Sequence, residues 1–193
     1  MTVGILSIQG DFDAHRKTLA RLGVNTRDAR TTADLQGLDA IILPGGESTT
    51  QLKFLKSEGL ESALKDFAAR GGAMFGTCAG AILLAQEVKG PAQDSLGVLD
   101  VTVVRNGYGR QLASEVRSGR SQLKPDALEM VFIRAPIIER VGPAVEVLAE
   151  DRGYPVLVRQ GRLLAATFHP ELTDDPTVHR FFLQMVGERA WAA

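Results

Sequence analysis

Apolar residues gather along the chain in short blocks: VGILSI at 3–8, DAIILP at 39–44, AMFGT at 73–77, EMVFIRA at 129–135, PVLVRQ at 155–160 and LLAATF at 163–168. Blocks of this length, bounded by turn-forming residues, predict strands, most of them buried. Between the early blocks the period lengthens. DAHRKTLARLG at 13–23 and LESALKDFAARGG at 60–72 are amphipathic at helical spacing, and each closes on a glycine suited to a helix C-terminus. Strand followed by helix, repeated, predicts crossover units and a parallel sheet.

From about residue 97 to 168 helical patterns are few and strand blocks several, among them a hairpin expected to turn at Gln160-Gly161. This predicts an antiparallel part within a mixed sheet. The last periodic stretch, PTVHRFFLQMVGERA at 176–190, predicts a final helix, with Asp174 and Asp175 as caps and Pro176 near its first turn. No repeat, low-complexity tract or linker interrupts the chain. The expected fold is α/β: one three-layer domain over residues 1–193, with a central mixed, mostly parallel sheet and helices on both faces.

Composition narrows the setting. A length of 193 residues suffices for such a core. With 45% hydrophobic and 23% charged residues, the chain is not of the disordered, fibrous or disulfide-built classes. Twenty-two basic against 23 acidic residues leave a net charge of -1, so no charge bias points to nucleic acid or an anionic membrane, and neither is expected as a partner. The start MTVGILSIQG lacks a basic leader, and no block is long enough to span a bilayer. A reducing, cytoplasmic setting is expected, where a lone thiol matters only if its surroundings activate it.

That thiol is Cys78, in Gly76-Thr77-Cys78-Ala79-Gly80, where a strand block ends and a helix can begin. Gly-x-Cys-x-Gly matches a nucleophile elbow, a tight strand-to-helix turn that tolerates only small neighbours. Helix N-terminal amides there favour a thiolate and an oxyanion beside it. Taken alone, the pattern also fits an inert cysteine buried among small packing residues. A thiol nucleophile needs a base, and the chain has three histidines. His15 and His179 lie within amphipathic helices, which assigns them a solvated or packing role. His169 follows LLAATF directly, and Glu171 stands two residues on, placed to bind one imidazole nitrogen and leave the other for the thiol. By itself His-Pro-Glu reads as an ordinary polar turn at a strand end; joined to the cysteine turn, it reads as the base and its orienting acid. The third piece is LPGGESTT at 43–50, a strand running into a glycine pair and a helix start. An amide at Gly45-Gly46 is placed to join that of Ala79 in an oxyanion hole, with Glu47 and Ser48 on the rim. The same run also reads as a plain turn capped by Ser48.

The combination resembles the class I, triad-type glutamine amidotransferases, whose domain is flavodoxin-like. LSIQGDFDAH at 6–15, LPGGESTT, GTCAGAILLA at 76–85, VRNGYGRQ at 104–111, FIRAP at 132–136 and FHPEL at 168–172 are together similar to the glutaminase subunits of pyridoxal 5′-phosphate synthases. The match runs over nearly the whole chain in order. It departs after GRQ, where LASEVRSGR lacks a phenylalanine before the acidic residue, and in the tail GERAWAA.

The resemblance implies hydrolysis of glutamine to glutamate, with ammonia handed to a separate synthase subunit. It assigns Cys78 as nucleophile, His169 as acid and base, Glu171 as the group orienting the imidazole, and the amides of Gly46 and Ala79 as the oxyanion hole. Glutamine binding falls to Gly46, Glu47, Ser48, Arg105, Ile133 and Arg134. Arg105 or Arg134 would answer the α-carboxylate and Glu47 the α-ammonium. No metal or cofactor is implied. The implied partner is a barrel subunit that forms rings within a large hetero-oligomer and makes pyridoxal 5′-phosphate from pentose and triose phosphates. Docking is expected at the Gln9-Gly10-Asp11 turn and the helices flanking the active-site mouth, with Gln9 holding the Gly45-Gly46 peptide. Alternatives are a glutaminase serving imidazole, purine or aminobenzoate synthesis, a non-catalytic binding or redox-sensing relative, and, less well supported, a peptidase.

Overall fold

The structure, a computed structural model, describes residues 1–107 and 114–188. The second half of VRNGYGRQ, the start of the stretch after it and most of the tail lie outside the described residues. Twelve strands and five α-helices are described. In chain order they are β1 (Val3–Leu6), α1 (Phe12–Arg21), β2 (Thr26–Ala29), β3 (Ala40–Leu43), α2 (Ser48–Ser57), α3 (Leu60–Ala69), β4 (Ala73–Thr77) and α4 (Ala79–Leu84). There follow β5 (Ala85–Lys89), β6 (Leu99–Val104), β7 (Ser114–Gly119), β8 (Leu128–Ile133), β9 (Ile137–Val141), β10 (Glu146–Asp151), β11 (Tyr154–Gln160), β12 (Leu163–Ala166) and α5 (Thr177–Gly187).

Seven strands form the central sheet in the order β10-β11-β12-β4-β3-β1-β2. The five from β12 to β2 are parallel, and β10 and β11 add the antiparallel part. The remaining strands leave the central sheet, β5-β6-β9 in one small sheet and β7-β8 in another. No helix among the described residues is long and apolar enough to cross a membrane.

The central strands are apolar at nearly every position because each face meets a separate core. Along β3, Ala40 and Ile42 enter one cluster and Ile41 and Leu43 the other; β4 divides likewise, Ala73 and Phe75 against Met74. A period of two therefore survives, hidden by burial on both sides. Leu19 of α1 and Val178, Phe182 and Met185 of α5 cover one face; Leu52 and Leu55 of α2, Leu64 of α3 and α4 cover the other. These are the two helical layers the alternation of blocks predicts.

Three local expectations shift. The hairpin turn is Gly161-Arg162, because Gln160 is the last ladder residue and pairs with Leu163. Glycine then fills the first loop position, with φ +56. Ser48 is not the cap of α2. Glu47 is, since its backbone is extended and its carboxylate accepts from the amides of Thr49 and Thr50 at 3.3 and 2.8 Å. Pro176 occupies the cap position of α5, and Asp175 serves from one residue further out, its Oδ1 accepting from the Thr177 amide at 3.0 Å.

His15 and His179 are fully buried, so packing is their setting, and Nδ1 of His15 lies 2.9 Å from Nε2 of His179. Burial above all, and then the charges nearby, hold both imidazoles below the ordinary range, His179 at about 4. Below pH 6.5 the unfolded chain takes up protons that the folded chain refuses. Stability therefore falls as pH drops from 6.5 towards 4, by about 3 kcal/mol for His179 alone. His179→Phe, which leaves an aromatic ring against Phe75, should flatten that part of the Tm-versus-pH curve, since a 3 kcal/mol change is worth roughly 6–12 °C in a chain of this size. Parallel curves for wild type and variant would show that His179 is not held neutral.

Candidate active site

Sheet order assembles the site. β12, β4 and β3 are parallel neighbours, so the three motifs that follow them, distant in sequence, emerge side by side at the carboxyl edge, where open α/β sheets bind ligands.

Cys78 stands between β4 and α4 with φ 47 and ψ −102, a conformation L-residues rarely adopt. Its neighbours show what the elbow requires. A Cβ on Gly76 would lie 2.5 Å from the carbonyl of Gly80, and one on Gly80 would lie 2.0 Å from the carbonyl oxygen of Leu43. Both glycines let α4 rest on the strand ends. The helix is only six residues long, so amides of its first turn, and not a long dipole, supply the positive field near the sulfur. The thiol faces the Ile133 carbonyl at 3.8 Å and the His169 ring.

His169 sits three residues beyond β12, its amide bonded to the Val131 carbonyl at 2.8 Å, which pins the turn to β8. Its Nδ1 meets Oε1 of Glu171 at 2.7 Å, and the ring is almost wholly buried. Gly45 leaves room for that ring, since a Cβ there would sit 2.3 Å from Cε1. Burial opposes a charge on the imidazole, but its interactions with Cys78 and with Glu171, which it meets through Nδ1, outweigh it and push the ring up to about 10. Burial pushes the Glu171 carboxyl upward, and the bond from His169 draws it back. The site thus sets the imidazole of His169 near the Cys78 thiol and against the buried Glu171 carboxylate.

The glycine turn after β3 is fixed from two sides. Oγ1 of Thr77 accepts from the Gly45 amide at 3.0 Å, and the Gly45 carbonyl accepts from the Asp11 amide at 3.2 Å. Gln9 holds the next peptide, not Gly45-Gly46 as expected: its Oε1 accepts from the Glu47 amide at 2.9 Å.

A cleft opens beside Cys78 and is lined by all six residues the sequence nominates for binding, Gly46, Glu47, Ser48, Arg105, Ile133 and Arg134. Arg105 follows β6 and lies 3.4 Å from the Glu47 carboxylate, which bonds to Thr49 above all and Thr50 hold down at about 2 against the opposing effect of burial. Arg134 is exposed at the mouth with φ 44, and Ser48 turns its hydroxyl to Gln93 at 2.9 Å. Sequence reasoning missed Ile82 and Asn106, which also line the cleft. Asn106 carried a signal, an Asn-Gly pair where asparagine adopts φ 54. Asp11, expected only in the docking turn, also faces the triad, its carboxylate 3.7 Å from Nδ1 of His169. Asp11, His169 and Glu171 are also the group, among the described residues, close enough to share a cation, but a cation there would take the bond Glu171 makes to the imidazole.

A strained cysteine elbow and an imidazole held by a buried carboxylate, on adjacent parallel strand ends, are the arrangement that a triad-type thiol hydrolase requires on an open α/β sheet. The chain belongs to the SNO glutamine amidotransferase family, whose model matches residues 5–188. It is 52% identical over 96% of both chains to a protein of Koribacter versatilis named pyridoxal 5′-phosphate synthase subunit PdxT. It is 51% identical, over 99% of this chain and 100% of the relative, to the protein of that name in Deinococcus radiodurans. A crystal structure described as a glutamine amidotransferase superposes with a TM-score of 0.91 at 48% identity, covering 96% of this chain and 98% of that one. The structure of PurLQS from Thermotoga maritima, 16% identical over 95% of this chain and 97% of its own, shares the fold with a TM-score of 0.70.

Proposed function

We propose that this chain is the glutaminase subunit of a pyridoxal 5′-phosphate synthase, with residues 1–193 as one glutaminase domain. Its relatives carry that synthase name over their full length, and the family is that of glutamine amidotransferases. The observation that carries the chemistry is the contact order Cys78, His169, Glu171, with the imidazole turned up to about 10 between two acidic partners.

The thiolate of Cys78 attacks the side-chain amide carbon of glutamine. The tetrahedral intermediate places its oxyanion against the amides of Gly46 and Ala79, on the two turns flanking the sulfur. His169, already charged, gives its proton to the leaving nitrogen, so ammonia departs and a thioester remains. The neutral ring then takes a proton from water, which attacks the thioester and releases glutamate and the thiolate. Glu171 fixes the ring and offsets its charge through both steps. Arg105 and Arg134 face the α-carboxylate of glutamine and Glu47 its α-ammonium. Ammonia passes to a barrel-type synthase subunit that docks near Gln9-Gly10-Asp11 in a ring-shaped hetero-oligomer and uses it with pentose and triose phosphates.

The deciding experiment is ammonia release from glutamine by the purified chain, alone and with a pyridoxal 5′-phosphate synthase subunit. Release that rises with the synthase supports the reading; none in either condition removes it. Arg105→Ala should raise KM for glutamine by roughly tenfold or more, the worth of a charged hydrogen bond, with a smaller change in kcat. An unchanged KM would take Arg105 out of the substrate site.

A further inference from the structure

The triad carboxylate has a second oxygen that the mechanism does not use. Oε2 of Glu171 is buried and forms no hydrogen bond within the usual limits, and Nε2 of His15, also fully buried, stands 3.5 Å away. The same nitrogen lies 3.1 Å from Oγ1 of Thr77, the oxygen that accepts from the Gly45 amide. The far side of the ring is held by His179, 2.9 Å from Nδ1, and its edge meets Phe75. One ring therefore joins α1, the glycine turn and the triad.

The tautomer follows from charge. A bare ring nitrogen facing a buried carboxylate oxygen would set two lone pairs against each other, whereas an N–H at Nε2 donates to Thr77 and turns its positive end towards Glu171. Nδ1 of His15 is then the acceptor from Nε2–H of His179, and the bare nitrogen is Nδ1 of His179, which has no partner among the described residues. We infer that His15 is a positioning residue: its Nε2–H restrains the second oxygen of Glu171 and, through Thr77, the Gly45 amide, so that the imidazole of His169 and the glycine turn keep their working orientation. This rests on the glutaminase reading above. A histidine that only fills the core would need no donor at this nitrogen, and that difference is measurable.

His15→Phe keeps a ring of similar size and deletes the donor; His15→Gln brings an amide nitrogen towards the place of Nε2. Both are assayed with wild type for glutamine-dependent ammonia release in complex with the synthase subunit, alongside Tm. Folded His15→Phe is expected to lose roughly tenfold in kcat, as for a neutral hydrogen bond to Thr77 and an N–H dipole turned towards the carboxylate, with KM changed by less than about threefold. His15→Gln should recover most of that loss. The inference is overturned if His15→Phe folds and keeps kcat within about threefold of wild type, or if both variants lose activity alike in step with a lowered Tm. Should His15→Phe not fold, the nearly isosteric Thr77→Val, which cuts the arm to Gly45, is expected to lower kcat by roughly tenfold, and an unchanged kcat overturns the inference. A wild-type complex that releases no ammonia overturns the glutaminase reading itself, and is distinguished because the loss then precedes any substitution.

Discussion

Replacing Cys78 with alanine lowers ammonia release from glutamine by on the order of 10⁴-fold or more, with the synthase subunit present or absent, as for the loss of a nucleophile acting as one unit with its base. The fold tolerates the change. Cys78 is buried, but its Sγ makes one long contact to the Ile133 carbonyl and lies outside both apolar clusters, so the variant loses a small side chain and leaves those clusters whole. Alanine also keeps the left-handed backbone burden of the cysteine, with φ 47, so it does not relieve or add strain. KM for glutamine should move little, since the cleft residues remain. A variant retaining a tenth of wild-type turnover would show that some other group, such as a His169-activated water, attacks the amide directly.

Glu171→Gln comes next, with an expected fall in kcat of on the order of 10³- to 10⁴-fold, because the amide removes a charge and offers the imidazole an ambiguous partner. The site predicts a second signature. Burial opposes a charge on His169, but Cys78 and Glu171 favour it and push the ring up to about 10. Removing the carboxylate leaves burial less opposed, so the NMR titration of the ring should move to lower pH in Glu171→Gln. The sign carries over to stability. A ring raised above its ordinary 6.5 contributes fully below that pH and loses its contribution as pH rises through about 10, so the variant should lack part of the alkaline decline in Tm seen in wild type. If the ring titrates at the same pH in both proteins, Glu171 is not what holds its proton.

Much of this site was legible in the sequence. The glycines around Cys78 were readable as an elbow because the constraint is local: Gly76 and Gly80 must be small where α4 touches the ends of β3 and β4. His-x-Glu was readable because two residues of separation suffice to bring Glu171 onto Nδ1. Cap and turn details failed by one residue, at Ser48 and at Gln160-Gly161, since neighbouring polar side chains compete for the same amides and only the final backbone decides between them.

The chain alone determined the sequence of buried strands and amphipathic helices, the three motifs, and the choice of Cys78, His169 and Glu171, because burial period and turn chemistry are written within a few residues. Only the tertiary structure decided that β3, β4 and β12 lie side by side, that Arg105 and Ile133 reach the same cleft from the small sheets, and that Asp11 faces His169. It also turned His15 from a residue with a solvated or packing role in α1 into the ring behind the triad. Such relations join residues up to 164 positions apart, as His15 and His179 are. No local pattern encodes them, because strand order and helix docking are settled by the packing of both faces of the sheet at once.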